Sequence, residues 1–273
     1  MEKHVTSNER AGRYCHGASR GIGRGIALGL GQAGATVYVT GRTLQNGASK
    51  WPGTITATSE EVTNIGGHGI AVVCDHRNDN EVEAVFKRVR DEQNKLDILV
   101  NNATSFGETL TSQGYDPMDV PFWELPFSQW DEMLDVGLRS HYVASVLAAQ
   151  LMVPRRNGVI VNISSNGAKQ YAGNVAYGVG KAAVDKLSSD MAYQLRQHNI
   201  ASISIWPPLT RTEKVMAYKE RYDLKKAYSP LFTGLAVVAL AADSKIMDKT
   251  GLSFRVTDLA TEYGFSDTIS ATV

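Results

Sequence analysis

The sequence predicts one α/β domain built on a doubly wound parallel sheet, and three observations carry that expectation. Short apolar runs alternate with segments of helical period along most of the 273 residues, the order that places helices on both faces of a parallel sheet. A glycine-rich run, Gly17-Ala18-Ser19-Arg20-Gly21-Ile22-Gly23, lies near the start and opens an amphipathic segment. The length suits a single large core, and no shift in composition marks a second domain. Residues 1–273 therefore read as one unit, with 1–12 as a loose leading segment.

Taken in order, the first strand falls between Gly12 and Gly17, where Arg13, Tyr14, Cys15 and His16 remain for it. Four residues extend roughly 13 Å. Either Arg10 and Ala11 join the strand, or it is short and carries Arg13 awkwardly, because a buried unpaired arginine is costly. Further apolar runs suited to buried parallel strands are Thr36 to Thr40, Ile70 to Cys74, Ile98 to Val100, Val159 to Ile163, Ala201 to Trp206 and Leu252 to Val256. Helical periodicity covers Gly23 to Gln32, Asn80 to Gln93, Gln129 to Leu151, Val175 to Arg196 and Thr233 to Ala242. Thr104 to Phe127 and Thr212 to Phe232 fit neither period and read as functional loops on the substrate side.

Composition narrows the function. Lys plus Arg equals Asp plus Glu at 28 each, so no global field recruits nucleic acid or an acidic membrane, and neither partner is expected. The opening Met1 to Arg13 is polar, the tail Gly264 to Val273 shows no anchor, and no apolar run reaches the roughly 18 residues of a spanning helix. These features suggest a cytoplasmic protein. Cys15 and Cys74 lie in or beside apolar stretches and read as reduced packing residues. No metal site is expected.

The chemistry concentrates in Tyr177-Gly178-Val179-Gly180-Lys181, twelve residues after Ser165. A spacing of four puts phenol and ammonium on one helix face. A lysine there can lower the tyrosine pKa from about 10, toward a range where the phenol exchanges protons with a carbonyl compound. An isolated pair of this spacing is more often a surface pair; a preceding serine and buried strand reverse that weighting. Gly17, Gly21 and Gly23 let the backbone approach a pyrophosphate and enter a helix whose N-terminus favours anions. An ordinary tight turn is the competing reading.

These motifs, with Asn101-Asn102-Ala103 and Ile163-Ser164-Ser165, resemble the short-chain dehydrogenase/reductase family in order and spacing over roughly Gly12 to Leu259. Further stretches, among them Ala33 to Arg42, Val136-Gly137-Leu138-Arg139 and Leu151 to Pro154, resemble its dehydrogenase/reductase member 1 subgroup. The resemblance implies a Rossmann-like fold of about seven parallel strands and a nicotinamide cofactor. It implies Tyr177 as acid or base, Ser165 as the hydrogen bond to the substrate oxygen, and Lys181 as the ribose-binding group that tunes Tyr177. Ser164 competes with Ser165, its alternative being a bond to nearby backbone. By the same likeness Gly17, Ser19, Arg20, Gly21, Ile22 and Gly23 form the pyrophosphate turn. Asp75 meets the adenine, with a turn cap as the alternative; Asn101 and Ala103 lie under the ribose, and Pro207 and Thr212 sit beside the nicotinamide. A 2′-phosphate calls for a cation. Arg42, past the second strand, and Arg20 favour NADP(H), with NAD(H) as the other possibility; solvated loop arginines are the bland reading.

Four positions depart from the family pattern. The first strand has four residues where relatives have six, and His16 stands at a usual threonine. Gly137 replaces an asparagine that supports a proton relay, and a mid-helix glycine points to a kink or close packing. Pro208 and Thr104 replace glycines beside the cofactor. The expected substrate is a small carbonyl or alcohol compound. Phe106, Phe122, Trp123, Phe127, Trp130, Trp206, Tyr218 and Tyr222 around the two long loops suggest an apolar, ring-shaped one, unless they serve to anchor the loops. A homo-oligomer, dimer or tetramer, is expected from the family through the helices at Leu147-Ala148-Ala149 and Ala182-Ala183. A catalytically impaired dinucleotide-binding sensor or scaffold is the alternative function.

Overall fold

The computed structural model describes residues 12–45, 47, 49–105, 116 and 118–267, with 12–16 as backbone. The strands are β1 (Gly12–His16), β2 (Thr36–Gly41), β3 (His68–Val73), β4 (Ile98–Asn101), β5 (Gly158–Ile163), β6 (Ile200–Trp206) and β7 (Ser253–Arg255). They form one sheet in the order β3-β2-β1-β4-β5-β6-β7, every ladder parallel. The order reverses between β1 and β4, which puts a crevice at their carboxyl ends, where ligands of such sheets bind.

Among the described residues the first strand's ladder begins at Gly12. Gly12 pairs with Thr36 and Arg13 with both Val37 and Ile98, so β1 is flanked on both sides as a central strand, while Arg10 and Ala11 lie outside the described residues. The turn after it is therefore held from both sides.

The helices are α1 (Gly21–Gln32), α2 (Ile55–Asn64), α3 (Asp79–Gln93), α4 (Phe127–Leu134), α5 (Ser140–Met152), α6 (Val175–Leu195), α7 (Glu213–Ala217), α8 (Pro230–Ala242) and α9 (Val256–Tyr263). They cover both faces of the sheet. One core cluster packs α1 and α8 against Val37, Val39, Val100, Val161 and Ile203, and the other packs α3 and α5 against Tyr38, Leu99 and Ile160. Burial of these β-branched and aliphatic side chains is the main force holding the layers together.

Gln129 to Leu151 is not one regular helix. Asp135–Arg139 forms a π-helical turn joining α4 to α5, with Gly137 buried within it. Such turns insert an extra residue into the hydrogen-bond ladder and recur at functional sites. A Cβ at Gly137 would lie 3.3 Å from the Thr104 hydroxyl. Two of the departures from the family pattern thus face each other, a side chain gained at Thr104 opposite one lost at Gly137.

Candidate active site

Four segments meet at the carboxyl ends of β1, β4, β5 and β6. The first is the glycine turn, where Gly17 and Gly21 have φ of 70° and 55°, backbone that side chains rarely adopt. A Cβ on Gly17 would lie 2.7 Å from the Ala103 Cα, and one on Gly23 would lie 2.1 Å from the Gly17 carbonyl oxygen. The Asn102 side chain donates to that carbonyl at 2.8 Å, tying the end of β4 to the turn. The cradle is thus shaped by what its glycines lack. Its donors also accept an anion: the Gly21 amide, first in α1, donates to the Glu213 carboxylate at 2.9 Å. The turn therefore fits a phosphate-bearing cofactor in space and in polarity.

The third segment carries Ser164 and Ser165. Ser164 donates to the Lys181 carbonyl at 3.0 Å, the backbone bond that was its alternative reading. Ser165 accepts from the Gly167 amide at 3.0 Å, and its side chain hydrogen-bonds Tyr177. The position of Tyr177 is set by a cap, since the Asn174 side chain accepts from the Tyr177 amide at 3.0 Å and starts α6 there. Lys181 follows one turn later, buried, donating to the Ile163 carbonyl at 2.8 Å. Ser165, Tyr177 and Lys181 form one constellation.

The electrostatics differ from the expectation that Lys181 lowers the Tyr177 pKa. Burial raises the phenol above its ordinary value, and the bond with Ser165 offsets only part of that. The Lys181 ammonium lies 5.7 Å from the phenol ring centroid and serves the Ile163 carbonyl instead. Burial lowers Lys181 itself to about 8, opposed by the Asp185 charge.

A pH dependence of stability follows. Below about pH 8 Lys181 is protonated in folded and unfolded chains alike and contributes no slope. From there to the ordinary value of 10.5 the unfolded chain holds the extra proton, so stability of the ligand-free protein rises with pH. Urea unfolding near pH 8 and near pH 10 should show the wild type gaining about 2 kcal/mol relative to Lys181→Met. An equal slope in the two proteins would remove Lys181 as the cause.

The remaining expected residues divide. Asp75 forms a two-point pair with Arg77, at 2.9 and 3.2 Å, and accepts from the Arg77 amide at 3.1 Å. It is thus the turn cap of its alternative reading. Burial raises its pKa, but the Arg77 bonds and the charges of Arg77 and Arg42 outweigh that and lower it. Arg42 is exposed at the end of β2. Arg20 donates to Ser49 and Thr43, each at 2.8 Å, and to the Gly53 carbonyl at 3.1 Å; it is built into the loop after β2 and is not a solvated arginine. Ser19 is partly buried and Ile22 packs on the core. Asn101 is wholly buried, donating to Ser145 and Asn162 at 2.9 Å, and so supports the site from beneath. Ala103 is buried against the turn. Pro207 is partly exposed. Thr212 caps α7 by accepting from the Val215 amide at 3.3 Å.

The aromatic residues also divide. Trp206 is anchored, its indole donating to Asp185 at 3.1 Å, and Tyr218 meets Trp51 edge-on at 6.1 Å. Phe122, Trp123, Phe127 and Trp130 are exposed by 61, 73, 93 and 44 %, so they do not anchor their loop in the core. Phe106 lies outside the described residues. Among those described, no cluster of His, Cys, Asp or Glu suits a metal ion, and no helix is long and apolar enough to cross a membrane.

Three site residues escape sequence reasoning. His76 is buried, its Nε2 3.1 Å from the Thr40 hydroxyl; burial, aided by nearby His141, lowers it to about 3. His141 is also buried, its Nε2 2.9 Å from the Ala103 carbonyl oxygen, and burial with the Lys181 charge lowers it to about 3. Both act as neutral struts beneath the turn. Glu213 reaches Gly21 across 192 residues, and nothing local in the sequence signals that contact.

Comparison with known proteins points to one family and one fold. A family model described as "short chain dehydrogenase" matches residues 14–223. The chain is 43 % identical over 265 residues to "Dehydrogenase/reductase SDR family member 1" of Mus musculus, covering 92 % of this chain and 81 % of that one. It is 32 % identical over 197 residues to a "3beta-hydroxysteroid dehydrogenase" of Mediterraneibacter gnavus, covering 72 % of this chain and 64 % of that one. A solved short chain dehydrogenase of Mycobacterium thermoresistibile superposes with a TM-score of 0.81 at 23 % identity, covering 95 % of this chain and 89 % of that one; it speaks for the fold.

Proposed function

This chain belongs to the short-chain dehydrogenase family of oxidoreductases, and we propose that it is an NADP(H)-preferring member acting on an apolar carbonyl or alcohol compound through Tyr177, Ser165 and Lys181. The observation that carries the reading is the constellation itself: Tyr177 bonded to Ser165 and underlain by Lys181, in a crevice shared with a glycine turn that already accepts an anionic oxygen. The residues of that turn, with Lys181, would hold the cofactor, which supplies or takes the hydride when bound.

The chain's own part is protonic and electrostatic. The raised Tyr177 pKa keeps the phenol protonated at neutral pH, ready to give its proton to a carbonyl oxygen as negative charge develops there. Ser165 has a lone pair engaged by the Gly167 amide, leaving its hydroxyl proton for the Tyr177 or substrate oxygen. Lys181, held on the Ile163 carbonyl, brings positive charge behind the phenol and favours its deprotonated form once the proton has left. The exposed loop aromatics Phe122 and Trp123 support an apolar substrate, as does the similarity to a protein named for a hydroxysteroid.

The cofactor preference rests on Arg42, exposed at the end of β2 beside Asp75. Arg42→Ala should weaken NADPH binding by roughly ten- to a hundredfold, the range of one lost charge-assisted phosphate contact, and leave NADH nearly unchanged. Fluorescence titration of both nucleotides measures this. An equal loss for both would transfer Arg42 from the 2′-phosphate to a general structural part.

A further inference from the structure

We propose that Glu213 is a built-in anion occupying the cofactor's phosphate seat, so that nucleotide affinity is set by competition with the protein's own carboxylate. This inference rests on the dinucleotide-binding reading above. The first amides of a helix have no carbonyl partner within the helix and lie at the positive end of its dipole, a combination that draws anions. Here the Gly21 amide donates to Glu213 at 2.9 Å. The position a Gly21 side chain would take lies 3.3 Å from the Thr212 methyl and 3.6 Å from the Glu213 carboxylate. The segment thus sits directly on the turn, filling space that the glycine leaves open.

The contact is held from several sides. Thr212 caps α7. Lys214 approaches Asp116 to 3.8 Å, and Arg221 pairs with Asp119 at 2.6 Å and with Asp116 at 3.4 Å, clasping this loop to the one after β4. Tyr218 meets Trp51, joining it to the loop that holds Arg20. The carboxylate therefore arrives on a secured cover over the glycine turn.

A carboxylate and a phosphate offer the same kind of acceptor, anionic oxygen, to the same donor. The two cannot share the Gly21 amide without like-charge repulsion at close range, so nucleotide binding requires Glu213 to move away. Only the fraction of molecules with Glu213 displaced is then competent, and the apparent dissociation constant is raised accordingly.

The test is titration of the full chain with NADPH, for the wild type, Glu213→Gln and Glu213→Ala, with association followed by rapid mixing. Both variants should bind roughly three- to tenfold more tightly. The gain should lie in the association rate, with dissociation nearly unchanged, because the bound state no longer contains the Glu213 contact. Unchanged or weaker binding in both variants overturns the proposal and makes Glu213 a helix cap compatible with nucleotide. Failure of the underlying reading looks different: neither NADPH nor NADH would saturate any of the three proteins, and the inference would fall with it.

Discussion

Tyr177→Phe should lower turnover roughly a thousandfold or more while leaving NADPH affinity within about twofold, the separation expected when a proton donor is removed from an intact binding site. The phenol oxygen makes its side-chain bond to Ser165, and the start of α6 is set by the Asn174 cap, so removing one hydroxyl leaves the backbone and the glycine turn in place. The ring also keeps its place above Lys181. Unchanged turnover would refute the assigned acid, whatever the cofactor result. A parallel loss of binding and turnover would show that the hydroxyl is part of the architecture.

Gly23→Ala should have the opposite pattern, with NADPH affinity falling roughly a hundredfold and turnover lost with it. The added Cβ would lie 2.1 Å from the Gly17 carbonyl oxygen and 2.5 Å from the Asn102 side-chain nitrogen. The first is backbone, and the second is the group that ties the turn to β4, so neither yields without moving the cradle. Overpacking of this kind costs about 1–3 kcal/mol of stability, a loss that leaves a domain of this size folded. Circular dichroism and nucleotide titration of the same preparation distinguish the effects. A folded variant that binds normally would show that the turn does not need its close approach.

The alternation of strands and helices was legible because buried parallel strands are continuous apolar runs. Thr36 to Thr40, Val159 to Ile163 and Ala201 to Trp206 all fall within observed strands. α2 was missed because Ile55, Thr56, Thr58, Val62 and Thr63 are β-branched and weak helix formers; its helicity comes from the Thr54 cap and from burial of Ile55 and Val62. α9 was hidden in the same way, its first residue Val256 reading as the end of the strand run. α8 begins at Pro230 and not Thr233, and Ser229 before Pro230 is a cap signal that could have placed it.

At the site, Ser165, Tyr177 and the glycines stand out because they lie in local patterns, and their expected roles come from the resemblance to the family. What spacing cannot carry is contact between distant segments. Arg20 closing onto Ser49 and Thr43, His141 onto Ala103, and Glu213 onto Gly21 depend on how the loops fold over the sheet. The Tyr177 pKa failed for a related reason. Helix periodicity brings Lys181 near the ring, but its degree of burial, which governs the sign of the shift, belongs to the assembled structure.

To learn whether the chain is a dinucleotide-dependent oxidoreductase working through Tyr177, one purified preparation is titrated with NADPH and NADH, and nicotinamide absorbance is then followed across a panel of ring ketones. Saturable binding, tighter for NADPH, with turnover that is absent in Tyr177→Phe is the predicted result. Binding of neither nucleotide, or turnover that survives the loss of the phenol, would contradict it.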